Sequence, residues 1–135
     1  GIRGYIDKDI QYLNEANTIS FGQDTATMFY QPNPYFTGDK IKIFKPKIPK
    51  FDKHIAHFII PALKIVFSSF SWGSSSYKES VLENIKITLP VNQNNQIAFD
   101  FMEKFISAVQ KEVIKSVVLW RQKHIDTTKA IVASY

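Results

Sequence analysis

Three short segments in the first third of the chain alternate apolar and polar side chains in the way that β-strands do. Each is rich in β-branched or aromatic residues, and they lie at residues 18–21, 27–30 and 40–44. Turn-forming residues separate them at 22–24 and at 31–39. In the third segment lysines alternate with Ile41, Ile43 and Phe44, so we predict a strand with one buried, apolar face and one cationic face.

Two helices are predicted where apolar residues recur every three or four positions. Asp52 is suited to cap the first helix, which we expect to continue to Phe67. Pro61 falls inside this helix and would remove a backbone hydrogen bond, which predicts a bent helix or two short ones. The second helix is predicted to start near Ala98 and to run past Ile125.

The second helix carries an apolar stripe that is wide at its start and narrower toward its end. We expect the early members, Phe101 and Phe105, to lie in the domain core. A long helix that keeps an apolar seam beyond its own domain usually needs another helix to cover it. We therefore predict a helix interface at Val113, Val117 and Trp120.

Residues 85–89 alternate once more and Pro90 follows them, so we predict a further strand that the proline ends. The polar residues 92–96 then form a connector. Together the patterns predict an α/β (α+β) fold, with a small mixed β-sheet, one or two packed helices and a long C-terminal helix. The predicted boundary gives one domain at residues 1–96 and the helix at residues 97–135.

Composition limits the class of protein. The chain has 135 residues, which suits one ordinary domain. It contains no cysteine, so disulfides and thiolate metal sites are excluded. The longest apolar run is far shorter than the roughly 20 residues that span a bilayer, and the start shows no secretory signal. We therefore expect a cytoplasmic protein with no membrane segment.

The charge favours an anionic partner without proving one. The net charge is +5 with a pI near 9.4, which is compatible with attraction to phosphate backbones. Six lysines within residues 40–53, called the lysine cluster below, carry much of this charge. They are Lys40, Lys42, Lys45, Lys47, Lys50 and Lys53.

Catalytic and metal chemistry finds little support in the sequence. His54 and His57 could face the same side of a helix, but no local acidic or histidine partner completes a metal site, so surface or half-buried histidines are the favoured interpretation. The acids are scattered rather than arranged as in a nuclease, and no Gly-x-Ser-x-Gly motif surrounds the serines. We predict no catalytic residue, no metal and no cofactor.

Two loops have the composition of DNA-contacting segments. In the first, Gln23 could read adenine, Asp24 could accept a hydrogen bond from cytosine, and Thr25 adds a hydroxyl; a plain hairpin turn explains it equally well. The second combines small hydroxyls, aromatics, glycine and a cation, and the alternative is a surface loop around one buried tryptophan. Its candidate residues are Ser71, Trp72, Ser74, Ser75, Tyr77 and Lys78. Lys42, Lys45 and Lys47 are the candidate phosphate contacts.

The order of short motifs along the chain resembles the target recognition domain of DNA specificity subunits in type I and related type II restriction-modification systems. The matching elements are Gly4-Tyr5-Ile6, Asn17-Thr18-Ile19-Ser20, Gly22, Phe29-Tyr30-Gln31-Pro32, residues 41–46, Phe70-Ser71-Trp72-Gly73, residues 82–91, and Asp100-Phe101 with Phe105. Domains of this family generally begin several dozen residues before the first of these elements. We therefore expect residues 1–96 to be a recognition domain truncated at its front and residues 97–135 to be a spacer helix.

The resemblance implies a non-catalytic protein that binds a specific double-stranded DNA sequence. Spacer helices of the family pack as antiparallel coiled coils, and methyltransferase subunits, with or without an endonuclease subunit, supply the chemistry. Self-association through the helix, or pairing with a second recognition domain, is the corresponding expectation here. Two alternatives remain: part of a fused restriction-methylation enzyme or a small nuclease, and a helix-mediated protein interaction module.

Overall fold

A computed structural model describes residues 4–23, 25–68, 70 and 78–134 of the chain. After a 3-10 turn at Ile10–Tyr12 come three strands and then three helices. The strands are β1 (Thr18–Gly22), β2 (Thr27–Gln31) and β3 (Ile41–Phe44); the helices are α1 (Lys53–Phe67), α2 (Glu79–Leu82) and α3 (Phe99–Ala133). The predicted α+β class and the long C-terminal helix are confirmed.

The three strands form one sheet in the order β2-β1-β3, so β1 is its central strand. β1 pairs antiparallel with both neighbours, so the described sheet is antiparallel rather than mixed. Every residue of β1 except Gly22 is buried, as expected for a central strand with one neighbour on each side. The three predicted strand positions in this part of the chain are confirmed.

The face of β3 that enters the core is set by Phe44. Its ring stacks on Phe21 with 5.7 Å between centroids, and Lys42 lies opposite Phe21 in the strand register. Side chains alternate between the two faces of a sheet, so Ile41 and Ile43 project from the other face. Phe44, one of the residues predicted for the buried face, packs on the core. Lys42 shares that face and Ile41 and Ile43 lie on the other, so the predicted separation of an apolar face from a cationic face is wrong.

Helix α1 covers one face of the sheet and is continuous through Pro61. The Asp52 carboxylate caps its start by accepting hydrogen bonds from the N–H groups of His54 and Ile55 at 2.8 and 3.0 Å, as predicted. Pro61 is exposed, so water can bond the carbonyl group that loses its helical partner. The buried apolar side chains on both sides of Pro61 keep α1 as one helix, and the expectation of two short helices is wrong. They are Ile55, Ala56, Ile59, Ile60 and Phe67.

Residues 85–89 do not form the predicted strand. They have no regular secondary structure and no ladder partner, while Ile85, Ile87 and Leu89 pack against buried residues of α1, the sheet and α3. The alternation of buried and exposed side chains was therefore identified correctly. The strand assignment was wrong because this segment lies across helices, where it meets no strand edge to pair with.

Helix α3 has 35 residues and is about 50 Å long. Met102 and Ile106 are its buried residues, whereas Phe101 and Phe105 are half-exposed and meet the ring of Phe58 edge-on at 6.4 and 5.7 Å. The expectation that these two phenylalanines are core residues is thus wrong. From residue 111 onward every described residue is exposed. None of the described helices is long and apolar enough to cross a membrane.

The stability that the start of α1 gives to the fold is expected to decrease in two stages as the pH falls. Partial burial, and then the charges of Lys53 and His54, lower the pKa of His57, so protonation favours the unfolded chain below about pH 6.5. Partial burial of the Asp52 carboxyl favours a higher pKa. Hydrogen bonds from the N–H groups of Ile55 and His54, and a hydrogen bond with the Glu103 carboxyl, outweigh this effect. The pKa of Asp52 is therefore lowered. The stability contributed by the ionised Asp52 carboxylate is lost as the pH falls below about 4.

Urea midpoints measured from pH 8 to pH 3 test this expectation. The variant His57→Gln should abolish the decline near pH 6 and keep the decline near pH 4. His124→Gln, on the exposed part of α3, is the matched control and should keep both. A decline near pH 6 that persists unchanged in His57→Gln would contradict the assignment.

Candidate nucleic-acid interface

One end of the sheet, called the hairpin end below, brings together the β1–β2 turn and the start of β3. In the strand register Gly22 lies opposite both Thr27 and Ile41. The backbone N–H of Gln23 donates a 3.1 Å hydrogen bond to the carbonyl oxygen of Lys40. This bond ties the hairpin turn to the β2–β3 connection, so two segments distant in sequence form one surface.

Two threonine hydroxyls lie close to the backbone of the hairpin at Gly22. The hydroxyls of Thr25 and Thr27 are hydrogen-bonded at 2.7 Å, and both oxygens lie 3.2 Å from the position that a Cβ atom on Gly22 would occupy. Glycine therefore lets the two hydroxyls approach the backbone. Both threonines are exposed, so this pair presents hydroxyl groups to solvent at the hairpin.

Helix α1 ends near the same place. The ring of Phe67, its last residue, lies 5.1 Å from that of Phe21, and Phe70 lies 5.1 Å from Phe67. On the far side of the predicted serine-rich loop, Leu82 of α2 packs against the same core cluster. Of that loop's candidates only Lys78 is described; it is exposed and precedes α2.

Six predicted contact residues lie outside the described residues. They are Asp24, Ser71, Trp72, Ser74, Ser75 and Tyr77. Among the others, the hairpin end holds Gln23 and Thr25, with Lys42 one residue further along β3. The structure thus brings three of the predicted residues together with Lys40, which the predicted contact set had omitted.

Lys40 has a left-handed backbone conformation, with φ of 61°. Such a value is uncommon outside glycine, asparagine and aspartate, and it aims the Lys40 carbonyl at the hairpin turn. The preceding Gly38 and Asp39 were a sequence signal for a tight connection here. Nothing in the sequence indicated that this connection would bond to Gln23, because the contact depends on the register between β1 and β3.

The lysine cluster does not form one continuous patch. Lys45 follows the end of β3 remote from the hairpin end, and its ammonium group pairs with the Glu15 carboxylate at 2.9 Å. Lys47 is exposed two residues further on, and Lys50 pairs with Glu103 of α3 at 2.8 Å. The hydrogen bond to Glu103 raises the pKa of Lys50, partial desolvation opposes it, and nearby carboxylates add to the rise.

The described residues contain no group of three or more histidine, cysteine or acidic side chains that could hold a metal ion. His54 is within 4.0 Å of Asp52, through Nδ1 and Oδ1, and this contact belongs to the start of α1. His54 therefore lies at the helix cap, and His54 and His57 are both half-buried, as the interpretation favoured from sequence expects.

The predicted helix interface lies on an open part of α3. Val113, Val117 and Trp120 are each more than half exposed, and with Val109 they define the apolar seam. The Trp120 ring lies 4.1 Å from that of His124, one turn further on. An exposed seam of this length on a helix that has left its own domain is typical of a surface that another helix covers.

Comparison with known proteins identifies the family of the chain. A family model for the type I restriction modification DNA specificity domain matches residues 1–118, so the chain belongs to that family of DNA specificity domains. The predicted family and the predicted function, DNA target recognition in a restriction-modification system, are thereby confirmed. The family is one of recognition domains rather than catalytic ones, which is also what the sequence predicted.

One curated relative is a specificity subunit, S.BcgI, of a type II restriction enzyme from Heyndrickxia coagulans. It is 26% identical over 110 residues, which cover 82% of this chain and 31% of the relative. The chain therefore spans about a third of the length of the curated relative that it matches. No solved structure matches the chain.

Proposed function

We propose that this chain reads one half of a specific double-stranded DNA target, with the hairpin end as its base-reading surface, and leaves catalysis to separate subunits. The observation that carries the proposal is the hydrogen bond between Gln23 and Lys40, which fixes two loops into one polar surface on a DNA specificity domain. Base reading requires polar side chains held in register on a rigid support. The sheet and α1 provide that support.

The side chains at the hairpin end suit the two kinds of contact that DNA offers. Gln23 carries the paired donor and acceptor that match adenine in the major groove, and the Thr25 hydroxyl can donate or accept. Lys42, and the charge of Lys40, would contribute the phosphate term, which is independent of sequence. The candidates in the serine-rich loop and Asp24 are proposed to join this surface from the adjoining segments.

We further propose a division of labour along the chain, with recognition in residues 1–96 and spacing and assembly in residues 97–135. The apolar seam of α3 would pair with a helix from a second copy or from a neighbouring recognition domain. Methyltransferase and endonuclease subunits would dock on the resulting assembly. The exposure of the seam residues, and of every described residue from 111 onward, supports this part of the proposal.

Selection from a pool of random duplexes tests the recognition proposal. The chain should enrich a short common sequence, and Gln23→Ala or Thr25→Ala should relax one or two positions of it at a cost of about 1–3 kcal/mol each. Lys42→Gln should instead weaken binding to all duplexes and lower the salt dependence by about one phosphate contact. Binding is measured by fluorescence anisotropy at several salt concentrations.

Lys45→Gln is the matched control for Lys42→Gln, since Lys45 is paired with Glu15 at the other end of the sheet. It should leave the enriched sequence unchanged and alter affinity less. Equal affinity for enriched and random duplexes at every salt concentration would refute sequence-specific recognition by this chain. Loss of specificity in Lys45→Gln but not in Gln23→Ala would refute the assignment of the hairpin end.

A further inference from the structure

Helix α3 has a second ordered face besides the apolar seam. At about 100° per residue, four lysines fall within about 40° of arc around the helix axis, and this set is the lysine stripe. It consists of Lys104, Lys111, Lys115 and Lys129. Gln122 lies on the same line, in the gap between the third and fourth lysines.

The lysine stripe is free to meet a ligand. All four lysines are exposed, and none is in an ion pair recorded for the described part of the chain. From residue 111 to the end of α3 the sequence contains five Lys or Arg residues and two acidic residues, Glu112 and Asp126. Asp100, one turn before Lys104, and Asp126 are the acids nearest the stripe, each about 40° from its centre line. The Asp126 carboxylate accepts a 2.9 Å hydrogen bond from Gln122.

The lysine stripe and the apolar seam point in opposite directions. Val113 and Trp120 on the seam lie roughly 140–180° around the helix from Lys104 and Lys115. A helix that covers the seam would therefore leave the lysine stripe exposed to solvent. A helix face that merely contacts solvent needs only scattered charges. Here the cations align along most of α3, while the acids lie off the line or at its edge.

We propose that the lysine stripe is a second DNA-binding surface, which contacts the phosphate backbone of the duplex without reading its sequence. The stripe spans 26 residues from Lys104 to Lys129, or about 38 Å between its ends, a little more than one turn of B-DNA. Lysine ammonium groups are point charges that suit single phosphates. The proposal rests on the proposed function, since it assumes that the chain binds duplex DNA.

The first test measures the salt dependence of binding to a random-sequence duplex of about 30 base pairs. The triple variant Lys111→Gln, Lys115→Gln and Lys129→Gln keeps good helix-forming residues and removes three cations. We expect at least a tenfold loss of affinity near 0.1 M salt and a salt slope shallower by about 2–3, since each phosphate contact contributes about 0.9. Circular dichroism checks that the helix content is unchanged.

A control triple removes the same charge elsewhere: Arg121→Gln and Lys123→Gln on the sides of α3 and Lys86→Gln before it. All three residues are exposed. The control should lose less than a third as much affinity as the stripe variant. An equal loss in both triples would show that net charge alone is responsible and would overturn the proposal.

The second test uses the absence of cysteine from the chain. A single cysteine placed by Gln122→Cys puts a thiol-linked photo-crosslinker on the stripe, and Thr127→Cys puts it near the seam side of the helix. We expect DNA adducts from the first position and at least fivefold fewer from the second. Equal adducts at both positions would overturn the proposal.

Two outcomes distinguish DNA binding by the lysine stripe from protein binding by the stripe and from the proposed recognition function. If the stripe variant keeps the normal salt slope but loses association with a methyltransferase subunit, the stripe binds an acidic protein surface and the proposal is wrong. If the chain binds random duplexes through the stripe but enriches no sequence, the lysine stripe is supported while the proposed recognition function fails. The random duplex keeps these two failures distinguishable.

Discussion

Replacing Phe21 by alanine should destabilise the domain by about 3–5 kcal/mol, the range found for large-to-small changes of buried phenylalanines. Phe21 is fully buried in the central strand, and its ring contacts those of Phe44 and Phe67. It thus joins β1, β3 and the end of α1, the three elements that position the hairpin end. Since small domains are stable by only about 5–15 kcal/mol, this one change removes a large fraction.

Urea unfolding followed by far-UV circular dichroism measures the effect as a shift of the midpoint with an unchanged slope. Phe29→Ala is the matched control, because Phe29 lies on β2 next to β1 but is 46% exposed. It should cost no more than about 1 kcal/mol. If the two variants were equally destabilised, Phe21 would not be the packing centre that the structure indicates.

A change with the second largest effect is expected in assembly rather than stability. The double variant Val117→Glu and Trp120→Glu places two carboxylates on the apolar seam, where a covering helix would have to bury them. If two copies pair through the seam, the dissociation constant should rise at least about 100-fold, because central aromatic and aliphatic anchors carry most of the energy of such interfaces. Sedimentation equilibrium over a wide range of concentrations measures it.

Leu119→Glu supplies the control for this experiment. Leu119 is as exposed as Trp120, at 60% against 63%, but lies about 100° away from it around the helix. It should leave association within a few-fold of the unmodified chain. Association that survives the double variant, or that Leu119→Glu abolishes equally, would place the pairing surface elsewhere on α3.

Most of the secondary structure was predictable because its signals are local. The strand positions, the Asp52 cap and the long helix α3 follow from patterns among neighbouring residues, and the structure confirms each of them. The errors arose where tertiary contacts decide the outcome. Residues 85–89 alternate like a strand but pack on helices, and Pro61 is tolerated because the packed sides of α1 hold the helix together.

The candidate site was predictable in kind but not in arrangement. Glutamine, threonine and lysine near a turn indicated polar contacts, yet their assembly with Lys40 depends on the register between β1 and β3. Hydrogen bonds between residues distant in sequence are equally hard to predict. The Asn17 side chain, for example, donates to the Phe51 carbonyl and accepts from the Tyr30 hydroxyl, both at 2.9 Å. No local pattern announces such partners. For the same reason the lysine cluster, close in sequence, is divided among both ends of the sheet, the contact with α3 and the start of α1.

The contacts between α1 and α3 support only the first part of α3, so a small tilt there produces a large displacement at the far end of the helix. The helix is held near its start by Met102, by the Phe58 contacts and by the ion pair of Lys50 with Glu103, and residues 111–133 extend beyond that support. Over a free length of about 35 Å, a tilt of only about 10° at the joint moves the far end by about 6 Å. That displacement approaches two base-pair steps along a duplex. The stiffness of a few side-chain contacts at one end would thus govern how accurately a partner is placed at the other.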